Sequence, residues 1–152
     1  RSTRSVSSAA SDVYKRQSRD SVDNEDFMLM ARTDSFAKEG INGVIDRANQ
    51  YVDAGANALF PEAIISLEDY KILCSAINVP VLANITEFGM TPLFSKNELK
   101  DSGISLILHP LSAFRAMSKA ALEVYTAISN EGNVEDFIQK MQSRDELYEV
   151  LD

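Results

Sequence analysis

The 152-residue chain has no tryptophan, a single cysteine (Cys74) and a single histidine (His109). One cysteine excludes an internal disulfide framework and any multi-cysteine metal site. One histidine excludes a histidine-rich metal cage. No apolar run approaches the roughly 18 residues that a membrane-spanning helix needs, so an integral membrane protein is not expected. The six glycines make no Gly-rich fingerprint after any apolar run, which removes the best support for a dinucleotide-binding sheet. Positive charge is short as well: 15 Lys and Arg stand against 23 Asp and Glu, a formal net charge of −8. Phosphate backbones demand concentrated Lys and Arg, so nucleic acid is not an expected partner.

The hydrophobic fraction of 45% and charged fraction of 25% are ordinary for a folded globular chain. The first 17 residues, RSTRSVSSAASDVYKRQ, stand apart with five Ser, four Lys or Arg and one acid, a local charge of +3. They read as a non-native or disordered leader. A Ser- and Arg-rich, acid-poor stretch can be a mitochondrial transit peptide, but the apolar face such a leader needs is missing. SSAASDVYKRQ is instead similar to translated adapter sequence, which would mean that the native start lies elsewhere. Residues 18–152 are taken as the folded part.

That part alternates regularly. FMLMA (27–31) is a short apolar run, as in a buried strand, entering the polar Arg32-Thr33-Asp34. INGVIDRANQYVDAG (41–55) places Ile41, Val44, Ile45, Ala48, Tyr51 and Val52 at helical spacing before a stop at Gly55. Strands are expected again at 56–61, 79–85 and 104–110. Helices are expected at 66–77, where Ser66 and Asp69 make a capping-box-like start, and at 95–103, 111–132 and 134–151. The near-continuous apolar strands predict burial on both faces by flanking helices. The fold class is α/β with parallel strands. An open doubly wound sheet and a TIM-type barrel compete. A barrel needs eight strands and about 250 residues, so four strands with their helices and further C-terminal helices fit a partial (β/α)8 barrel best.

In a barrel the reacting groups gather at the C-terminal strand ends. Those ends carry Arg32 with Asp34, then Glu62, then Asn84-Ile85-Thr86-Glu87, then His109 with Arg115 close behind. A guanidinium grips a carboxylate through two charge-assisted hydrogen bonds, so arginine at strand ends points to an anionic ligand. Glu62 could accept from a substrate hydroxyl, and Asn84 offers a directed donor and acceptor. Each has a plainer role beside it. Arg32 could simply pair with Asp34, Glu62 could start a helix, Asn84 to Thr86 could be turn chemistry, and Arg115 and Arg144 could be solvated helix residues. His109 is more simply a strand-end histidine, and Cys74, inside a mostly apolar helix, a packing cysteine.

MARTDSFAKEG, ALFPEA, VPVLANITEFGMTPLFS, PLSAFRAM and MQSRDELYE occur in this order. Together they resemble the C-terminal half of the 2-methylisocitrate lyase family, within the isocitrate lyase and phosphoenolpyruvate mutase superfamily. NITEFG with the following TPLF is similar to methylisocitrate rather than isocitrate lyases. The resemblance implies a carbon–carbon lyase that cleaves 2-methylisocitrate to pyruvate and succinate, a step of propionate catabolism in the methylcitrate cycle. It implies Mg²⁺ stabilising the developing enolate, a Lewis-acid role. It implies substrate binding by Arg32, Glu62, Asn84, Ile85, Thr86, Arg115 and Arg144. It further implies a bacterial cytoplasmic rather than mitochondrial location, and a homo-oligomer that exchanges its last barrel helix.

Two departures qualify it. His109 stands where relatives usually carry Tyr before PLSAF. The family's magnesium-binding acids and catalytic cysteine loop are expected upstream and are missing from these residues, so this chain alone is expected to catalyse nothing. Alternatives remain: a phosphonate mutase, an oxaloacetate decarboxylase, or a short non-catalytic protein that assembles through its sheet edges.

Overall fold

A computed structural model describes residues 16–21, 24 and 26–151. Residues 16–20 are helical, so the last two residues of the expected leader are ordered in a helix, while residues 1–15 lie outside the described part. The chain divides into two compact units, one ending at Pro110 and the other beginning at Leu111.

The first unit runs β1 (Met30–Thr33), α1 (Phe36–Asp53), β2 (Ala58–Pro61), α2 (Leu67–Ala76), β3 (Leu82–Asn84), α3 (Lys96–Asp101) and β4 (Leu106–Leu108). β1 pairs parallel with β2, setting Arg32 opposite Phe60, and β3 pairs parallel with β4, setting Asn84 opposite Leu108. A single bridge, Leu59 with Val81, links the two pairs into one sequential order. The expected α/β class with parallel strands is therefore the observed one.

Side chains alternate across the strands. Ala31, Leu59, Val81 and Ala83 are buried with Val44, Ala48, Tyr51, Tyr70, Leu73 and Leu99 from the helices. The other face carries Arg32, Ala58, Phe60, Leu82, Asn84, Leu106 and Leu108, of which Ala58 alone is buried. The expectation of strands buried on both faces is thus corrected. In β4, Leu106 and Leu108 remain 38% and 36% exposed, because helices cover only one face of these strands.

Local chemistry sets the boundaries. α1 starts at Phe36, five residues before the apolar period at Ile41, because a first turn is joined to the main helix across a kink at Gly40 (φ 64). Glu39 clamps that turn by accepting from Arg47 Nε and Nη2, both at 2.8 Å. α2 begins as expected: Ser66 Oγ accepts from the Asp69 amide at 3.1 Å. α3 carries a full reciprocal capping box between Ser95 and Glu98.

The second unit contains α4 (Ser112–Glu131), a 3₁₀ segment (Glu135–Lys140) and α5 (Arg144–Leu151). Gly132, left-handed at φ 66, ends α4. The single helix expected over 134–151 is broken. Ser143 restarts it as a cap, its amide donating to Glu146 Oε2 at 2.8 Å and its Oγ accepting from the Glu146 amide at 3.2 Å. No residue of α4 is buried, with Phe114 60% and Tyr125 71% exposed.

Candidate functional site

The site is built from three consecutive strand ends. Arg32 is the outward residue of β1, between buried Ala31 and Thr33. Its Nε donates to Asp34 Oδ1 at 3.0 Å, and its Nη2 lies 2.9 Å from the same oxygen and 3.4 Å from Glu62 Oε2. The register that sets Arg32 opposite Phe60 also lays the guanidinium over the Phe60 ring, 4.8 Å from its centroid. The Asp34 hydrogen bond raises the Arg32 pKa above its ordinary value. The charges of Glu62 and Asp34 add to this, and desolvation opposes it.

Glu62 follows β2 directly. Its amide donates to Thr33 O at 2.9 Å, which fixes the β2 end against β1. The next residue, Ala63, takes a left-handed φ of 60, uncommon without glycine, as the chain turns away. Asn84 ends β3 and donates from Nδ2 to Glu62 Oε2 at 3.3 Å. Its Oδ1 is buried and has no hydrogen-bond partner. A carboxamide with one arm engaged and a buried acceptor unanswered is suited to a donor arriving with a ligand, such as a hydroxyl.

Beneath the cluster lies Tyr70, fully buried. Burial, then the charge of nearby Glu62, pushes its hydroxyl up to about 12. Thr91 counters part of the shift, although its geometry falls short of a hydrogen bond.

The remaining residues expected at the site are placed differently. Ile85 is buried, and its amide donates to Leu108 O at 2.8 Å. Thr86 is half-buried and opens the turn through Glu87, Phe88 (φ 64) and Gly89. His109 is exposed just past β4. Arg115 and Arg144 belong to the second unit, exposed on α4 and at the start of α5. The structure brings together Arg32, Glu62 and Asn84. It adds Phe60, which nothing in the sequence had singled out; the inward-outward alternation of ALFP, with Arg32 at the matching position of β1, was the available signal.

A magnesium site does not fit these residues. Among the described residues no group of three or more His, Cys, Asp or Glu comes together. The two acids nearest the centre, Asp34 and Glu62, are both engaged by Arg32. Cys74 offers no nucleophile here, since burial pushes its thiol up to about 11.

Fold and site together define a parallel α/β protein that gathers an arginine, two carboxylates and a carboxamide at the C-terminal ends of its strands. Residues 1–129 match the phosphoenolpyruvate phosphomutase family, and the chain belongs to that family. It is 51% identical over 132 residues to 2-methylisocitrate lyase of Escherichia coli (strain K12), covering 87% of this chain and 45% of that protein. It is 43% identical over 124 residues to 2-methylisocitrate lyase of Halalkalibacterium halodurans, covering 82% of this chain and 41% of that protein. The chain thus spans a little under half the length of these relatives. Among solved structures it is similar to 2,3-dimethylmalate lyase, a member of the PEP mutase/isocitrate lyase superfamily. That match has a TM-score of 0.80 at 27% identity, covering 95% of this chain and 51% of the other.

Proposed function

We propose that this chain supplies the carboxylate-binding portion of a carbon–carbon lyase that cleaves 2-methylisocitrate to pyruvate and succinate. The observation that carries it is the tethered guanidinium of Arg32 at the strand ends, with Glu62 and Asn84 beside it. Identity of 51% to a 2-methylisocitrate lyase supports the choice of substrate. Arg32 binds a substrate carboxylate. Glu62 accepts from the substrate hydroxyl, and Asn84 Oδ1 serves as a second acceptor. Thr86 and the backbone of Ile85 line the same wall.

Arg115 and Arg144 are assigned to further carboxylates of the tricarboxylate in the whole protein. The whole protein is a bacterial cytoplasmic homo-oligomer on a TIM-type barrel, in which α4, without a buried residue of its own, packs on a neighbouring subunit. The metal ligands and the catalytic cysteine belong to the part of the relatives that this chain does not span. A phosphonate mutase or an oxaloacetate decarboxylase would use the same carboxylate cluster, so the substrate panel has to include their substrates.

The test is a chimera in which this chain replaces the matched portion of the E. coli relative. Its products are followed with 2-methylisocitrate, oxaloacetate and phosphonopyruvate in turn: pyruvate and succinate from the first, pyruvate from the second, phosphoenolpyruvate from the third. The expected result is turnover of 2-methylisocitrate with equal pyruvate and succinate. A folded chimera that turns over only one of the other two substrates, or none of the three, contradicts the proposal.

A further inference from the structure

We propose that Asp34 is a positioning residue, which locks the Nε edge of Arg32 so that Nη1 is presented to a single ligand carboxylate. This rests on the carboxylate-binding function proposed above and says how that function is made directional. A guanidinium has two bidentate edges, one formed by Nε with Nη2 and one by Nη1 with Nη2. Here one oxygen, Asp34 Oδ1, sits astride the first edge, 3.0 Å from Nε and 2.9 Å from Nη2. Glu62 Oε2 lies 3.4 Å from Nη2, an ion pair on the same nitrogen. The Phe60 ring lies against one face of the plane at 4.8 Å. Among the described residues the ion pairs and hydrogen bonds of Arg32 run through Nε and Nη2, and the donors left over are those of Nη1.

The arrangement matters because the Arg32 side chain is 52% exposed. An exposed arginine samples many rotamers, and freezing it on binding costs side-chain entropy. Asp34 and Phe60 impose that order before a ligand arrives. Asp34 is itself 66% exposed and lies just past the end of β1, so its carboxylate is not needed to fill the core.

Charge and geometry make opposite forecasts for Asp34, which separates them cleanly. By Coulomb attraction alone, removing a negative charge beside an anion site strengthens anion binding. By positioning, removing it frees Arg32 and weakens binding.

The experiment is a succinate titration of the full, ¹⁵N-labelled chain, read on the Arg32 Nε–Hε signal and the backbone amides of Arg32, Glu62 and Asn84. Unsubstituted chain, Asp34→Asn and Asp34→Glu are compared, with Asp34→Ser as a second neutral variant should Asn disturb the fold. Expected are a succinate affinity roughly tenfold weaker in Asp34→Asn, an Arg32 Nε–Hε signal moved to the position of a free arginine, and recovery of both in Asp34→Glu. Equal or tighter succinate binding in the neutral variants overturns the positioning role and leaves carboxylate binding standing. No response to succinate in the unsubstituted chain overturns carboxylate binding, and the positioning role with it.

Discussion

The side-chain Nδ2 of Asn84 lies 3.3 Å from Glu62 Oε2, a contact that ties β3 to β2 where an isolated bridge pairs Leu59 with Val81. It also completes a line of polar groups, Asp34, Arg32, Glu62 and Asn84, across three strand ends.

Replacing Asn84 with Ala removes that contact together with the unanswered Oδ1. The two effects oppose each other, since a lost hydrogen bond costs about 1 kcal/mol while an unpaired buried acceptor carries a penalty of similar size. Urea denaturation of Asn84→Ala is therefore expected within about 1 kcal/mol of the parent, whereas the succinate response falls. A large loss of stability would show that Asn84 holds the fold rather than a ligand.

Tyr70 buries a hydroxyl that has no hydrogen-bond partner. Tyr70→Phe is expected to be as stable as the parent, or more stable by up to about 2 kcal/mol. The pH dependence has a definite sign. The folded hydroxyl is pushed up from 10.0 to about 12. As pH rises, the unfolded chain loses this proton first, so the contribution is whole below pH 10 and declines between about pH 10 and 12. Thermal melts across that range should show a shallower alkaline decline in Tyr70→Phe than in the parent. Equal slopes would contradict the assignment.

Gly103 closes the turn after α3 with φ +90, and a Cβ there would stand 2.8 Å from Cys74 Cβ. A left-handed conformation costs a non-glycine residue about 1–2 kcal/mol, and here a steric clash adds to it. Gly103→Ala is expected to lower stability by about 2 kcal/mol or more, measured by urea denaturation. The same packing slows Cys74. Its thiol, raised to about 11, should react with iodoacetamide far more slowly at pH 8 than after unfolding.

Much of this site was legible because strand ends announce themselves. MART, ALFP and LAN each carry apolar residues up to a polar or turning one, and a parallel sheet collects those ends on one side. Arg32, Glu62 and Asn84 follow from that alone, and Asp34 from its spacing to Arg32. Phe60 was not legible as a site residue, since an aromatic inside an apolar run looks like core until the register with β1 is known. The Gly40 kink escaped for a similar reason: the Glu39–Arg47 pair that holds the first turn of α1 spans a break in the apolar period. The restart at Ser143 hides in a continuous helical pattern, because a cap competes with a helix only through a few local hydrogen bonds.

The residues of the second unit mark the other limit. Arg115 and Arg144 sit on helices, where exposure is the ordinary state of an arginine and spacing carries no direction. Their assignment draws on likeness to the lyases, while that of Arg32 also has geometry behind it.

Arg32 is therefore the centre of the proposed function, and the direct measurement is kcat/KM for 2-methylisocitrate in the chimera with the E. coli relative, compared with its Arg32→Lys form. Lysine keeps the charge but cannot bridge Asp34, Glu62 and a ligand carboxylate from one plane. A loss of about a hundredfold is expected, the scale of breaking a hydrogen-bonded charge pair. Arg32→Lys turnover within about twofold of the parent would contradict the claim that this guanidinium holds the substrate.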